Sequence, residues 1–366
     1  MGRLRSLAWL MVGAGAPVMA GGLGECALLG DAGARLACYD RVAGRLPAMP
    51  QAAPGDAPAG AAEPVATRLP DLQVPAEGKG EARDSWGNLA GLGAESFARR
   101  WELEPQFKDG TFKIKPYQPV YILPLSWRER INNDPCSLNP LNCSQRGDQD
   151  YDRTELKFQL SLKTKLWQDM LGSDADLWAA YTQQAFWQAY DSQNSSPFRE
   201  TDYQPEVWAT FPVEAGPDWL KLRMVNLGAV HQSNGETNPL SRSWNRLYAS
   251  FGLTSGDLSV VVKPWWRIPE SGSGDNNPDI SDFVGRMETV AVYPWRDNVF
   301  SLTWRNNLKF GSGTPNRSFF QFEWAFPISG NLHGYVQAFN GWGDSLQNYN
   351  FHNKGIGLGV SLIEWR

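Results

Sequence analysis

"ELKFQLSLK", residues 155–163, places Leu156, Phe158, Leu160 and Leu162 at alternate positions with Lys157, Gln159 and Ser161 between them. Successive side chains of an extended strand point to opposite faces, so the stretch reads as a strand with one apolar and one polar face. "SFFQFEWAF" (318–326) repeats the pattern, setting Phe320, Phe322, Trp324 and Phe326 against Gln321 and Glu323. "KGIGLGVSL" (354–362) does so again, with Ile356, Leu358, Val360 and Leu362 against glycines and Ser361.

Strand signals of this kind recur about twelve times, near 118–127, 153–163, 176–188, 205–214, 219–233, 241–253, 257–267, 283–294, 297–306, 317–327, 333–341 and 354–365. An even number is what a bacterial outer-membrane barrel requires. The connections alternate as well. Those after even-numbered strands are mostly short ("AGPD", "TSG", "PWRDN", "SGNL"), whereas 128–152, 189–204 and 267–282 are long. Short turns on one side of the membrane and long loops on the other produce that asymmetry, and a soluble sandwich has no reason for it. Trp127, Trp167, Trp219, Trp266, Trp295 and Trp365 fall near strand ends, as interfacial girdles do. A soluble barrel would share the period-two alternation but turn its apolar face inward. The fold expected here is all-β: a twelve-stranded antiparallel transmembrane barrel behind a mostly disordered N-terminal extension.

"MGRLRSLAWLMVGAGAPVMA" (1–20) has early arginines, an apolar run and a small-residue ending, which reads as a secretory signal cleaved after Ala20. The alternative, a membrane anchor, is opposed by the short run and its Gly and Pro. Residues 21–45 form a short cysteine-containing segment, and 46–105, dense in Pro, Ala and Gly, read as a linker ahead of a barrel domain at 106–366. Four cysteines in an exported chain point to disulfides, with the local pairs Cys26–Cys38 and Cys136–Cys143 expected among the possible pairings. With three histidines and widely separated cysteine pairs, zinc binding is disfavoured. A net charge of −5 argues against a nucleic-acid partner.

The chemistry concentrates in "VHQSNGETNPLSRSWNRL" (230–247). On the fifth strand His231 and Ser233 share a parity with Val225, Leu227 and Ala229. On the sixth, Asn245 shares its parity with Leu247, Ala249, Phe251 and Leu253, opposite Arg242, Arg246 and Tyr248. Apolar parity faces lipid in such a barrel, so the three polar side chains emerge together from the lipid-facing wall, near the external rim. Polar groups there are costly unless paired or functional. A hydroxyl, an imidazole and an amide so grouped can act as nucleophile (Ser233), base (His231) and orienter (Asn245), with an ester of the outer leaflet as substrate. The bland reading is a polar loop between two strands on a passive pore or structural barrel. Arg242, Arg246, Arg286 and Glu288, crowded on lumen parities, favour a filled interior over a pore.

These residues carry a resemblance. "HQSNG" followed by "NPLSRSWNRLY" resembles the catalytic signature of the outer membrane phospholipase A family. The likeness runs on through "AYTQQAFWQAYDSQNSSPFRETDYQPEVW", "VKPWW" and "DNNPDI", over residues 110–366. The resemblance implies a twelve-stranded barrel that hydrolyses acyl esters of phospholipids, requires calcium and is active as a homodimer. It assigns Ser233, His231 and Asn245 to the triad. It assigns calcium to the Ser241 side chain, the backbone carbonyl at Glu236 and, from a second subunit, the Ser195 carbonyl. The family pattern usually has arginine at the position of Glu236, and a carbonyl ligand survives that change. The resemblance also puts Gln183 at the dimer contact, the alternative being an amide that reaches the headgroup layer. A second acidic calcium site is suggested at Asp275 in "SGDNNPDIS". Calcium, with the Ser233 backbone N–H, would stabilise the developing oxyanion that a neutral Asn245 leaves without a countercharge.

Overall fold

The computed structural model describes residues 31, 33–35, 38, 94–143, 151–270, 272–311 and 313–363. The expected leader (1–20), Cys26, residues 46–93 of the expected linker and Trp365 lie outside the described residues. The chain divides into two units, 1–74 and 75–366. In the first, the Asp31 carboxylate accepts from the Ala34 N–H at 2.8 Å and begins a helical turn. The second carries the barrel.

Its long strands are β1 (Val120–Arg128), β2 (Thr154–Trp167), β3 (Asp176–Trp187), β4 (Phe198–Ala215), β5 (Lys221–Ser233) and β6 (Ser243–Ser255). They continue as β7 (Leu258–Arg267), β8 (Met287–Trp295), β9 (Asn298–Asn306), β10 (Ser318–Ser329), β11 (Leu332–Trp342) and β12 (His352–Ile363). Each pairs antiparallel with its neighbour in sequence, and β12 returns to pair with β1, Leu358 opposite Leu125, so the sheet closes. A two-residue strand at Lys115–Pro116 adds to β2 beside the start of β1. Closure satisfies the backbone without leaving an edge, the condition for crossing lipid with strands.

The wall is inside-out relative to a soluble protein. On β2, Glu155, Lys157, Ser161, Lys163 and Lys165 are buried, while Leu160 is exposed; on β10, Phe320, Phe322 and Trp324 are exposed and Glu323 is buried. Exposed Trp127 and Trp266 mark the long-loop rim, and exposed Trp167, Trp219 and Trp295 the opposite one. The turns at 256–257, 296–297 and 330–331 contrast with the connections 129–153 and 268–286. The asymmetry read from the sequence is therefore real.

The interior is packed. A helix, α1 (Ala94–Trp101), enters at the short-turn end and buries Phe97, Ala98 and Trp101. The expected linker thus ends before residue 105: apolar side chains one helical turn apart, Phe97 and Trp101, give this stretch a face to bury, with Arg99 and Arg100 turned elsewhere. Trp101 meets Trp208 and Tyr117 edge-on, each at 6.2 Å, and Tyr117 stacks on Trp208 at 5.0 Å. Gly252 makes the space for Phe97, because a Cβ there would lie 2.5 Å from the Phe97 ring. Part of the buried charge is paired: Lys165 bridges Glu102 and Asp176, each at 2.7 Å, and Glu155 holds Arg128 at 2.6 Å and Arg199 at 3.0 Å. Arg246 and Glu288 line a polar cavity in the lumen together with Gln159, Gln184, Gln232 and Arg305.

Three strand boundaries differ from the sequence expectation by four residues or more. β2 runs on to Trp167, past the expected 163, because Lys165 turns inward to Glu102 and Asp176. β4 begins at Phe198, seven residues before the expected 205, because its early residues include three charged side chains, Arg199, Glu200 and Asp202, that are buried in the lumen. β8 begins at Met287 instead of 283: the preceding residues form a helical turn, α2 (Ile280–Phe283), and Gly285 has φ 107°.

Candidate active site

β5 and β6 run past each other with His231 opposite Asn245 and Ser233 opposite Ser243. The Asn234 N–H donates to the Arg242 carbonyl at 3.0 Å, which makes that couple a hydrogen-bonded pair of the ladder. Pairs alternate along an antiparallel ladder, so His231 and Asn245, three steps back, occupy a non-hydrogen-bonded position, the class whose side chains approach most closely. Their side chains meet there: His231 Nδ1 lies 2.9 Å from Asn245 Oδ1. Leu227 and Leu247, on the same parity, are more than half exposed, whereas Val230, Trp244 and Arg246 of the other parity are buried in the lumen. The imidazole, the amide and the Ser233 hydroxyl therefore lie half-buried on the outer wall at the long-loop rim. The orientation read from sequence parity holds.

With Nδ1 engaged by a carboxamide oxygen, Nε2 is the ring nitrogen left to take a proton, and Ser233 follows His231 by two residues on the same face. Gln183 belongs to the same neighbourhood. The row Gln183, Tyr203, Ser233, Ser243 runs straight across β3 to β6, so Gln183 is half-buried on the outer wall, one strand beyond Tyr203 from the nucleophile candidate. Its Oε1 accepts from the Tyr181 hydroxyl at 3.3 Å.

The loop 234–242 is held from three sides. Asn234 is buried; its Oδ1 accepts from the Arg242 N–H at 2.9 Å and the Glu236 N–H at 3.3 Å, and its Nδ2 donates to the Leu240 carbonyl at 2.9 Å. Gly235, at φ 67°, turns the chain beneath Tyr203, where a Cβ would come within 2.9 Å of the ring. Arg242, fully buried, donates to the Ser241 carbonyl at 2.8 Å and the Asn142 carbonyl at 2.9 Å. Asn142 Nδ2 donates to Asn238 Oδ1 and the Ser241 carbonyl. Asn142 adjoins Cys143, and the expected Cys136–Cys143 disulfide is present. It closes a small loop that clamps 234–242 across the barrel mouth. On the same rim the Tyr349 hydroxyl donates to Asp279 at 2.6 Å; burial first, and that carboxylate next, raise its phenol above the ordinary tyrosine range.

Of the residues suggested for calcium, Ser241 and Glu236 sit together on this loop. Ser241 Oγ accepts from Asn276 Nδ2 at 2.9 Å, and Glu236 is exposed. Ser195 lies apart, exposed in the connection between β3 and β4. Asp275 is engaged otherwise: its Oδ1 is 2.6 Å from Arg267 and accepts from the Asn277 N–H at 3.1 Å. Among the described residues no group of three or more His, Cys, Asp or Glu side chains is arranged to hold a metal.

Sequence reasoning missed Asn234, Asn142 and Glu270. Asn245 Nδ2 donates to Glu270 Oε1 at 3.1 Å. The Asn-Gly dipeptide at 234–235 is a recognisable turn signal. Continuing the outward parity of Trp266 by two steps, through residue 268, would have reached Glu270.

The family model described as Phospholipase A1 matches residues 97–362. The chain belongs to this family. A relative named putative phospholipase A1, from Neisseria meningitidis serogroup B, is 37% identical over 348 residues, covering 92% of this chain and 89% of its own length. The solved outer membrane phospholipase A from Escherichia coli superposes with a TM-score of 0.62 at 33% identity, over 70% of this chain and all of the other. A Salmonella typhi outer membrane phospholipase, solved as a dimer with bound calcium, gives 0.62 and 33% over 70% of this chain and 95% of the other. The protein is a phospholipase built as an outer-membrane barrel.

Proposed function

We propose that this phospholipase hydrolyses acyl esters of phospholipids in the outer leaflet with a Ser233, His231 and Asn245 triad, in a calcium-dependent reaction that homodimerisation activates. The observation that carries the reading is the 2.9 Å contact between His231 Nδ1 and Asn245 Oδ1 on an apolar outer wall, with the Ser233 hydroxyl on the same face. Asn245 fixes the ring with its proton on Nδ1. His231 Nε2 then removes the Ser233 proton as Oγ attacks the ester carbonyl, and returns it to the leaving alkoxide; water repeats the cycle on the acyl-enzyme. The location supports a lipid substrate, since an ester in the leaflet meets these groups without leaving the membrane.

The loop chemistry fits a hard cation. Ser241 Oγ and the Glu236 carbonyl are oxygen donors close in sequence to Ser233, and the exposed Glu236 carboxylate adds negative charge. Calcium takes about six to eight oxygens, more than this loop offers, so a contribution from Ser195 of a second copy, and from water, suits the donor set. When bound, the ion supplies positive charge to the oxyanion beside the Ser233 backbone N–H. Asp275 is left out of the proposed shell because Arg267 already compensates it. Gln183, on the outer wall in the row of Ser233, is proposed to contact its counterpart in the dimer. The dimer with bound calcium solved for the Salmonella typhi protein supports both readings.

The test is fatty-acid release by the refolded full chain in phospholipid micelles, with calcium and with chelator. Ser233→Ala should abolish calcium-dependent release while the barrel stays folded by circular dichroism. Release at the wild-type rate would reject the triad, and activity indifferent to chelator would reject the calcium role.

A further inference from the structure

We infer that Glu270 is a positioning residue for the proposed triad, the carboxylate that fixes the Asn245 amide and supplies the negative charge which asparagine lacks. The inference rests on the triad reading above and extends it by one residue. An Asn side chain presents an acceptor at one end and a donor at the other, and nothing in the amide itself decides which end meets the histidine. Glu270 decides it. A carboxylate accepts only, so the Asn245 NH2 turns toward Glu270 Oε1 at 3.1 Å and Oδ1 turns toward His231 Nδ1 at 2.9 Å. An acceptor at that place demands the proton on Nδ1 and leaves Nε2 able to accept one from Ser233.

The backbone puts Glu270 there by register. The Ile268 N–H donates to the Asn245 carbonyl at 2.8 Å, which carries the pairing of β6 with β7 one step past the strand end. Glu270, two residues on, returns to the same outward parity as Trp266, opposite the Ser243 end of β6. It is half-buried, and among the described residues no cation forms an ion pair with it, so its nearest polar engagement is the Asn245 amide. As His231 takes the proton, positive charge forms on a ring joined through one polarised amide to this carboxylate. The arrangement gives Ser-His-Asn chemistry the electrostatic support that an aspartate supplies directly in other triads.

The test uses the full refolded chain and a chromogenic acyl ester in mixed micelles, with kcat and KM measured separately. Glu270→Gln keeps the size and hydrogen-bonding capacity but removes the charge; kcat should fall about tenfold with KM unchanged. The decisive arm is the same change in an Asn245→Asp background. There two carboxylates would face each other, so Glu270→Gln should raise kcat. That reversal of sign separates positioning by charge from mere support of the loop. An unaltered kcat in the single variant, or a loss in both backgrounds, overturns the proposal while Ser233→Ala remains inactive. Activity surviving Ser233→Ala would instead reject the triad, and this role with it.

Discussion

Truncating Asn245 to alanine asks how much of the rate depends on holding the imidazole. The acceptor removed lies 2.9 Å from His231 Nδ1, on a half-buried face where solvent replaces it poorly. Before the proton moves, the bond is an ordinary neutral one, worth about 0.5–1.5 kcal/mol; once the ring is charged, it belongs to the class worth about 1.5–3 kcal/mol. Only the difference, about 1–2 kcal/mol, lowers the barrier, which converts to a loss of about 5- to 30-fold in kcat. Asn245 engages Nδ1 of the base and not the ring nitrogen that serves the serine, so KM should hold within about twofold. Fatty-acid release by the refolded variant, measured across substrate concentrations at saturating calcium, reads both constants. Ser233→Ala, measured in parallel, should lose everything, because a missing nucleophile is not an orientation defect. An Asn245→Ala enzyme with wild-type kcat, or one whose loss falls wholly in KM, would refute this account of the base.

Two further outcomes test the surroundings. Gln183→Leu leaves an apolar side chain on the outer wall and should weaken self-association in detergent by about 1 kcal/mol, the scale of polar contacts between membrane segments. Sedimentation equilibrium with calcium and an acylating inhibitor checks it, and an unchanged dimer constant would assign the amide to the headgroup layer. Gly252→Val places a Cβ 2.5 Å from the Phe97 ring and 2.7 Å from Met224 Cγ. It should destabilise the seating of α1 by about 1–3 kcal/mol. Faster proteolytic cleavage near residue 97 in the folded barrel would report this, whereas unchanged protection would show that the lumen accommodates the larger residue.

What the sequence made legible follows from where the constraint acts. Lipid on one side and packed charge on the other impose a strict period of two, so the wall, its parity and the short-turn rim could be read one strand at a time. The same parity carried His231, Ser233 and Asn245 to the outer face, and the compact loop between β5 and β6 set their register well enough to pair His231 with Asn245. Contacts that depend on distant segments were hidden. Phe97 and Trp101 sit next to a stretch dominated by Ala, Gly and Pro, and their apolar face has meaning only against Trp208 and Met224 of the barrel. Arg199, Glu200 and Asp202 look like loop residues until Glu155 and the lumen supply their partners. Phe283 and Val284 resemble the start of a strand, yet they pack at the barrel mouth against the aromatic group around Tyr349.

Glu270 lies between these cases. Its outward parity is set by β7 and could have been followed past Pro269, but its use depends on an amide 25 positions earlier. The pairing of β6 with β7 is therefore part of the proposed active site: it carries the charge on the 268–286 connection to the back of the imidazole on β5. A site assembled this way joins residues from two adjacent strands and the connection beyond a third, and its two hydrogen bonds follow from ladder register. A slip of one residue between β6 and β7 would turn Glu270 inward and leave Asn245 without its partner, with β5 and its histidine unmoved.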